Sequence, residues 1–320
     1  MKHNLKITAV ILGMFLITQF IGLYVVNYYS PYQVVHGKVV EKSSGTLPYG
    51  MEPPEVKEDK EFAQVFMSII IAFIIAIALV FVLTKFNVDF VIRLWFFIVV
   101  SIALGISLNS FIPRIPYQIF IITLIAAIFS YVKIYQKNLY VHNLTELLVY
   151  PGIASVFVPL LTLWSMILLL IIISIYDMWA VWHSGFMQKM AKYQINKLNI
   201  FSGFFVPYAS KGVREKVKLM KQKAKNSKSA KKELRSKRFR VNVAILGGGD
   251  VIFPIVTSGV VMKTAGFGLE GALFVTVGAT LGLTYLFLNS EKKKFYPAMP
   301  FITAGIFIAM LLAWLLSFFL

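Results

Sequence analysis

Apolar residues in this chain fall in runs of about twenty, separated by short polar stretches, over residues 7–27, 62–83, 90–109, 117–135, 143–160, 161–182, 241–261, 267–288 and 297–320. At 1.5 Å per helical residue, such runs match the hydrocarbon thickness of a bilayer. The pattern predicts nine transmembrane helices in an all-α polytopic membrane protein. Residues 144–182 need a division, because as a single helix they would extend about 58 Å, nearly twice the bilayer core. A break around Pro159 gives two spans instead. The first run follows Lys2 and Lys6 but is too long for the core of a secretory signal and lacks a small-x-small cleavage site, so it reads as the first span.

Composition agrees with the pattern: 58% of residues are hydrophobic, only 14% are charged, and mean hydropathy is +0.75. The positive charge is unevenly placed. With the N-terminus cytoplasmic, 26 of the 32 Lys and Arg fall on the cytoplasmic side, which by the positive-inside rule predicts a cytoplasmic N-terminus and an outside C-terminus. Residues 183–240 hold 17 of these basic residues against Glu215 and Glu233, so most of the net +18 sits in one cytoplasmic loop. Within it, VREKVKLMKQKAKNSKSAKKELRSKRFR has the pattern of a basic, partly amphipathic helix lying near anionic lipid. Membrane lipid therefore accounts for the basic pI, and nucleic-acid binding is not implied. The organisation expected is one membrane domain in three parts: residues 1–182, the loop 183–240, and residues 241–320. The loop 31–61, with GTLPYGMEPPE, predicts a short strand pair or a cap over the spans.

The sequence holds no cysteine and only His3, His36, His142 and His183, so no metal site and no cofactor are expected. It also lacks the phosphate-loop, H-E-x-x-H and G-x-S-x-G signatures. What remains are carboxylates in the membrane. Glu146 and Glu270 occur near predicted helix starts, where a carboxylate reaches the interface or complements the helix dipole. Only two of the four aspartates, Asp177 and Asp250, lie well inside spans, where an unpaired acid is expensive. On the nine-span reading they sit about 8 Å and about 13 Å below the same face. Their helices are neighbours, so the carboxyls can meet. Two carboxyls in a poorly solvated site cannot readily both ionise, and the pair would share one proton. Gly247, Gly248 and Gly249 before Asp250 weaken the helix and let other backbone approach, and Pro254 frees the Asp250 carbonyl.

Tyr176-Asp177, Gly247-x-Gly249-Asp250 and Pro297-Ala298-Met299-Pro300 occur in the order and spacing of the YD, GxGD and PAL motifs. In these, in the nine spans and in the long loop between the sixth and seventh, the chain resembles the presenilin and signal peptide peptidase family of intramembrane aspartyl proteases. The resemblance covers nearly the whole chain. It implies a presenilin-like fold, Asp177 and Asp250 as the catalytic pair, and Tyr176, Gly247, Gly249, Pro297, Ala298 and Met299 as active-site support or substrate contacts. Transmembrane proteins or peptides would be the substrates. Met299 stands where the family motif has Leu, a roughly volume-conserving exchange. Tyr176 also fits an aromatic belt with Trp179 and Trp182. With the sequence ending at Leu320, no obligatory partner subunit is expected. Two other readings remain open at this level: a proton- or cation-coupled transporter or cation leak using the buried aspartates, and a prepilin-peptidase-like protease of juxtamembrane segments.

Overall fold

A computed structural model describes residues 5–35, 37–51, 59–85, 88–113, 115–136, 138–184, 202–208, 242–291 and 296–316. Nine α-helices run through the described residues: α1 (Leu5–Tyr29), α2 (Asp59–Lys85), α3 (Asp89–Phe111), α4 (Gln118–Tyr131), α5 (Leu139–Phe157), α6 (Leu163–Trp179), α7 (Gly248–Met262), α8 (Gly268–Asn289) and α9 (Met299–Leu316). In a bilayer no water pairs with free backbone groups, so long apolar runs are driven into helices that satisfy them internally. Polar residues set the ends. The Asn138 side chain accepts from the amides of Tyr140 and Val141 to start α5, and Thr162 accepts from Ser165 to start α6. Between these two helices Pro159 lies in a single tight turn, Val158–Leu160, which is the expected break.

Seven helices are long and apolar enough to cross a membrane, counting α4, α5 and α6 with the single turns that extend them. Among the described residues two predicted spans fall outside this count: the second, where the apolar helix counted is Gln64–Ala76 within α2, and the seventh. Residues 242–247 form a strand, and the helix that follows has 15 residues, too short by itself for the full hydrocarbon thickness. Gly247, Gly248 and Gly249 weaken any helix continued back through them, since a helix-interior glycine costs about 1 kcal/mol relative to alanine. Val243 and Ile245, β-branched, instead join a strand that pairs with Gly203–Tyr208. This strand, β3, lies within the basic loop and was not anticipated; the VREKVK segment lies outside the described residues.

Two antiparallel strand pairs result. β1 (Tyr32–Val35) pairs with β2 (Lys38–Glu41) in the register Tyr32 to Glu41, and turns at Gly37, whose φ of 74° suits glycine. The Gly37 carbonyl accepts from Gly266 in the α7–α8 turn, so the 31–51 segment is both a strand pair and a cap. β3 (Gly203–Tyr208) pairs with β4 (Asn242–Gly247) at the opposite end of α7, with Gly203 opposite Gly247.

The main core gathers α1, α5, α6, α7, α8 and α9 around Phe15, Met166, Leu170, Phe204, Ile255, Leu283 and Ile302. Outward positions stay apolar, as lipid contact requires: Trp164, Phe120 and Leu281 are largely exposed. The seam between α8 and α9 is built from glycines. A Cβ on Gly278 would meet the Gly305 carbonyl oxygen at 2.4 Å, and one on Gly282 would meet that of Phe301 at 2.3 Å. The G-x-x-x-G spacing thus brings two backbones together.

Candidate active site

Asp250 does not project from the middle of a helix, as its place in an apolar run suggested. It is the third residue of α7, behind Gly247 at the N-cap, and its carboxylate accepts the Gly247 amide proton. This is one half of a capping box, in which an acidic residue at the third position reaches back to the N-cap amide. The acid also complements the positive end of the helix. The side chain is partly buried. Pro254 leaves the Asp250 carbonyl without its intrahelical donor, and Gln19 on α1 reaches the next carbonyl, that of Val251, at 3.1 Å.

Asp177 lies near the end of α6 with 6% of its surface exposed. Its Oδ2 accepts the Met299 amide proton at 3.0 Å, and the Ala298 amide also donates to the carboxyl. The proline motif explains why these amides are free. Pro297 has no N–H to offer, and residues at a helix start have no preceding carbonyl for theirs. Tyr296, Pro297 and Ala298 are non-helical, and Phe295 lies outside the described residues. Pro300 is already in the first turn of α9, a position proline tolerates. One turn deeper, Ser174 on α6 donates to Thr303 on α9 at 2.9 Å, which fixes the two helices side by side.

The two carboxyls belong to one site. Asp177 is near enough to be the foremost charge acting on Asp250. α6 packs on both α7 and α9. Each carboxyl is anchored by backbone N–H donation at a helix start.

The other residues singled out in the sequence separate into two groups. Gly247, Pro297, Ala298 and Met299 are part of the site, and Met299 is buried in the main core, where its length serves as leucine's would. A Cβ at Gly249 would meet only the Phe253 ring, at 3.8 Å. Tyr176 is 40% exposed and leans on Trp179 at 6.4 Å between ring centroids. Glu270 is exposed in the first turn of α8, as expected. Glu146 is not at an interface: it is fully buried and pairs with Lys133 at 2.8 Å. A lysine thirteen residues away, in the turn that extends α4, replaces the water a lone acid would need. The roles of Gln19, Ser174, Thr303 and Glu146 were missed. Their signal was only a polar residue in an apolar run, which does not name its partner.

A polytopic helical bundle that brings two carboxyls to the starts of two of its helices, within the apolar layer, is built for acid–base chemistry inside a membrane. The chain matches the family described as signal-peptide peptidase, presenilin aspartyl protease over residues 47–318, and it belongs to that family. A solved structure of a presenilin family intramembrane aspartate protease in space group C222 superposes with a TM-score of 0.58 at 16% identity, covering 97% of this chain and 99% of that one. A second such structure, in space group P2, gives 0.53 at 16% identity, with 96% of each chain covered. No curated protein matches the chain. The protein is an intramembrane aspartyl protease with a presenilin-like fold.

Proposed function

We propose that Asp177 and Asp250 are the catalytic pair and that the protein hydrolyses peptide bonds in or near transmembrane helices of other membrane proteins. One carboxyl, ionised, removes a proton from water, and the oxygen of that water bonds to the scissile carbonyl carbon. The other carboxyl, protonated, donates to the carbonyl oxygen. Collapse of the tetrahedral species breaks the C–N bond, and the amine leaves with a proton returned by the pair. No metal or cofactor takes part. The observation that carries this reading is that the two carboxyls lie in electrostatic range of each other where α6, α7 and α9 converge.

A helical substrate hides its carbonyls, so it must unwind locally. The amides of Ala298 and Met299 are already held by Asp177. The backbone left to receive an extended segment is β4, which leads straight into Asp250 and, among the described strands, is paired only with β3. Addition of the substrate as a strand would set its carbonyls beside the pair. The lysine and arginine bias supports a cytoplasmic N-terminus and 183–240 loop, an outside C-terminus, and hence a site on the cytoplasmic side. The single chain holds all of these groups, and we take it to act without partner subunits.

The test is cleavage of a generic transmembrane peptide by purified protein, with Asp177→Asn and Asp250→Asn measured alongside. Each substitution should lower the rate at least about 100-fold, the usual weight of a positioned acid or base. Wild-type cleavage by either variant overturns the assignment.

A further inference from the structure

Lys133 and Glu146 form an ion pair with side-chain exposures of 4% and 0%. Taking two charges out of water is costly, and well-packed apolar residues often serve stability as well. The pair is joined to a larger arrangement. Glu146 Oε1 also accepts the Gly203 amide proton at 3.3 Å, while His142 Nε2 donates to the Gly203 carbonyl at 2.8 Å, so both backbone groups of one residue of β3 are held. One residue along α5, the Asn143 amide group takes both backbone groups of Phe205, at 2.8 Å and 2.9 Å. Two turns further, the Tyr150 hydroxyl meets Ser202 Oγ at 3.3 Å, lies against Gly248, and is in electrostatic range of Glu146 and Asp250. α5 thus presents a row of polar side chains that grips the first residues of β3.

The grip reaches the candidate catalytic acid in two further contacts. Gly203 is paired with Gly247, the residue whose amide holds the Asp250 carboxylate. The Ser202 carbonyl accepts the Gly248 amide proton at 3.2 Å, at the first turn of α7. We propose that Glu146, with Lys133, His142, Asn143 and Tyr150, is a positioning set that fixes β3 and, through it, the Gly247–Gly248 turn and the Asp250 carboxylate. The set acts on orientation, since α5 makes no hydrogen bond to Asp250 itself among the described residues. It rests on the reading of Asp250 as catalytic.

The physical consequence is a loss in turnover rather than in substrate binding, because a displacement of about 1 Å at a reacting group costs about 100-fold in rate. The experiment measures kcat, KM and Tm of the full chain in detergent for two double variants and two singles. Lys133→Met with Glu146→Leu removes the charges and the acceptor. Lys133→Met with Glu146→Gln removes the charges but keeps an oxygen for the Gly203 amide. The first should lose at least tenfold in kcat with KM within about twofold of wild type, and the second should recover most of that loss. Wild-type kcat in the leucine form, or a glutamine form no faster than the leucine form, overturns the inference. Should the leucine form not fold, Tyr150→Phe decides, since it removes one oxygen and no volume: a lowered kcat at unchanged KM sustains the inference, and a wild-type kcat overturns it. Asp250→Asn in the same assay separates the two levels. Wild-type cleavage there overturns the catalytic assignment itself, whereas a dead Asp250→Asn beside a fully active Tyr150→Phe and leucine form overturns only the positioning role.

Discussion

Gly282→Ala, a single added methyl group on a helix that carries neither proposed catalytic carboxyl, should disable the enzyme through its packing. The new Cβ would lie 2.3 Å from the Phe301 carbonyl oxygen and 3.2 Å from the Ile302 Cα, both backbone atoms of α9 that no rotamer change can move. Restoring ordinary contact at about 3.4 Å requires α9 to retreat by roughly 1 Å. Phe301 is two residues from Met299, whose amide sits 3.0 Å from Asp177 Oδ2, so a retreat of that size stretches this bond beyond hydrogen-bonding distance. Alanine gains about 1 kcal/mol of helix propensity over glycine, overpacking costs about 1–3 kcal/mol, and losing a bond to a carboxylate costs about 1.5–3 kcal/mol. Steric and electrostatic losses therefore win. The assay is thermal unfolding in detergent beside peptide cleavage, with Gly13→Ala as the reference, since nothing lies within 4 Å of a Cβ there and only the propensity gain applies. Gly282→Ala should melt lower than Gly13→Ala and cleave at least tenfold more slowly. An unchanged Tm together with unchanged cleavage would refute both the interlocked seam and its coupling to Asp177.

Replacing Pro297 and Pro300 together by alanine should lower cleavage at least tenfold with the protein still folded in detergent, because the fixed φ of proline holds the turn that presents the Ala298 and Met299 amides; unchanged cleavage would remove the motif's role. At the other end of α7, Lys263 donates to the Val158 carbonyl at 2.6 Å, and burial lowers its pKa from the ordinary 10.5 to about 8. Between those values the unfolded chain binds more protons than the folded one, so stability contributed by this group rises with pH across that window and is level below it. Lys263→Met should flatten the rise in a series of Tm values from about pH 7.5 to about pH 10, and an undiminished slope in the variant would refute the assignment.

Much of this architecture was legible from hydrophobic spacing, because a bilayer leaves the backbone one way to satisfy itself over twenty apolar residues. Eight of the nine apolar runs became helices close to their predicted bounds, and the break at Pro159 followed from proline chemistry alone. The two aspartates stood out for the same reason, since an acid in an apolar run needs an explanation. Sequence could not say what satisfies each acid. Asp177 meets the amides of a helix start more than a hundred residues away, Glu146 meets a lysine on another helix, and Asp250 meets the amide three residues before it only because the chain there leaves the strand for the helix. That departure was the main misreading: residues 242–247 are as apolar as a span, and hydropathy cannot tell a strand from a helix when both are buried. The partner strand Gly203–Tyr208 settled it, a pairing across the basic loop that depends on where α5 holds Gly203. Local periodicity and composition determined what enters the membrane; side-chain and backbone contacts between distant segments decided where the polar groups inside it come to rest.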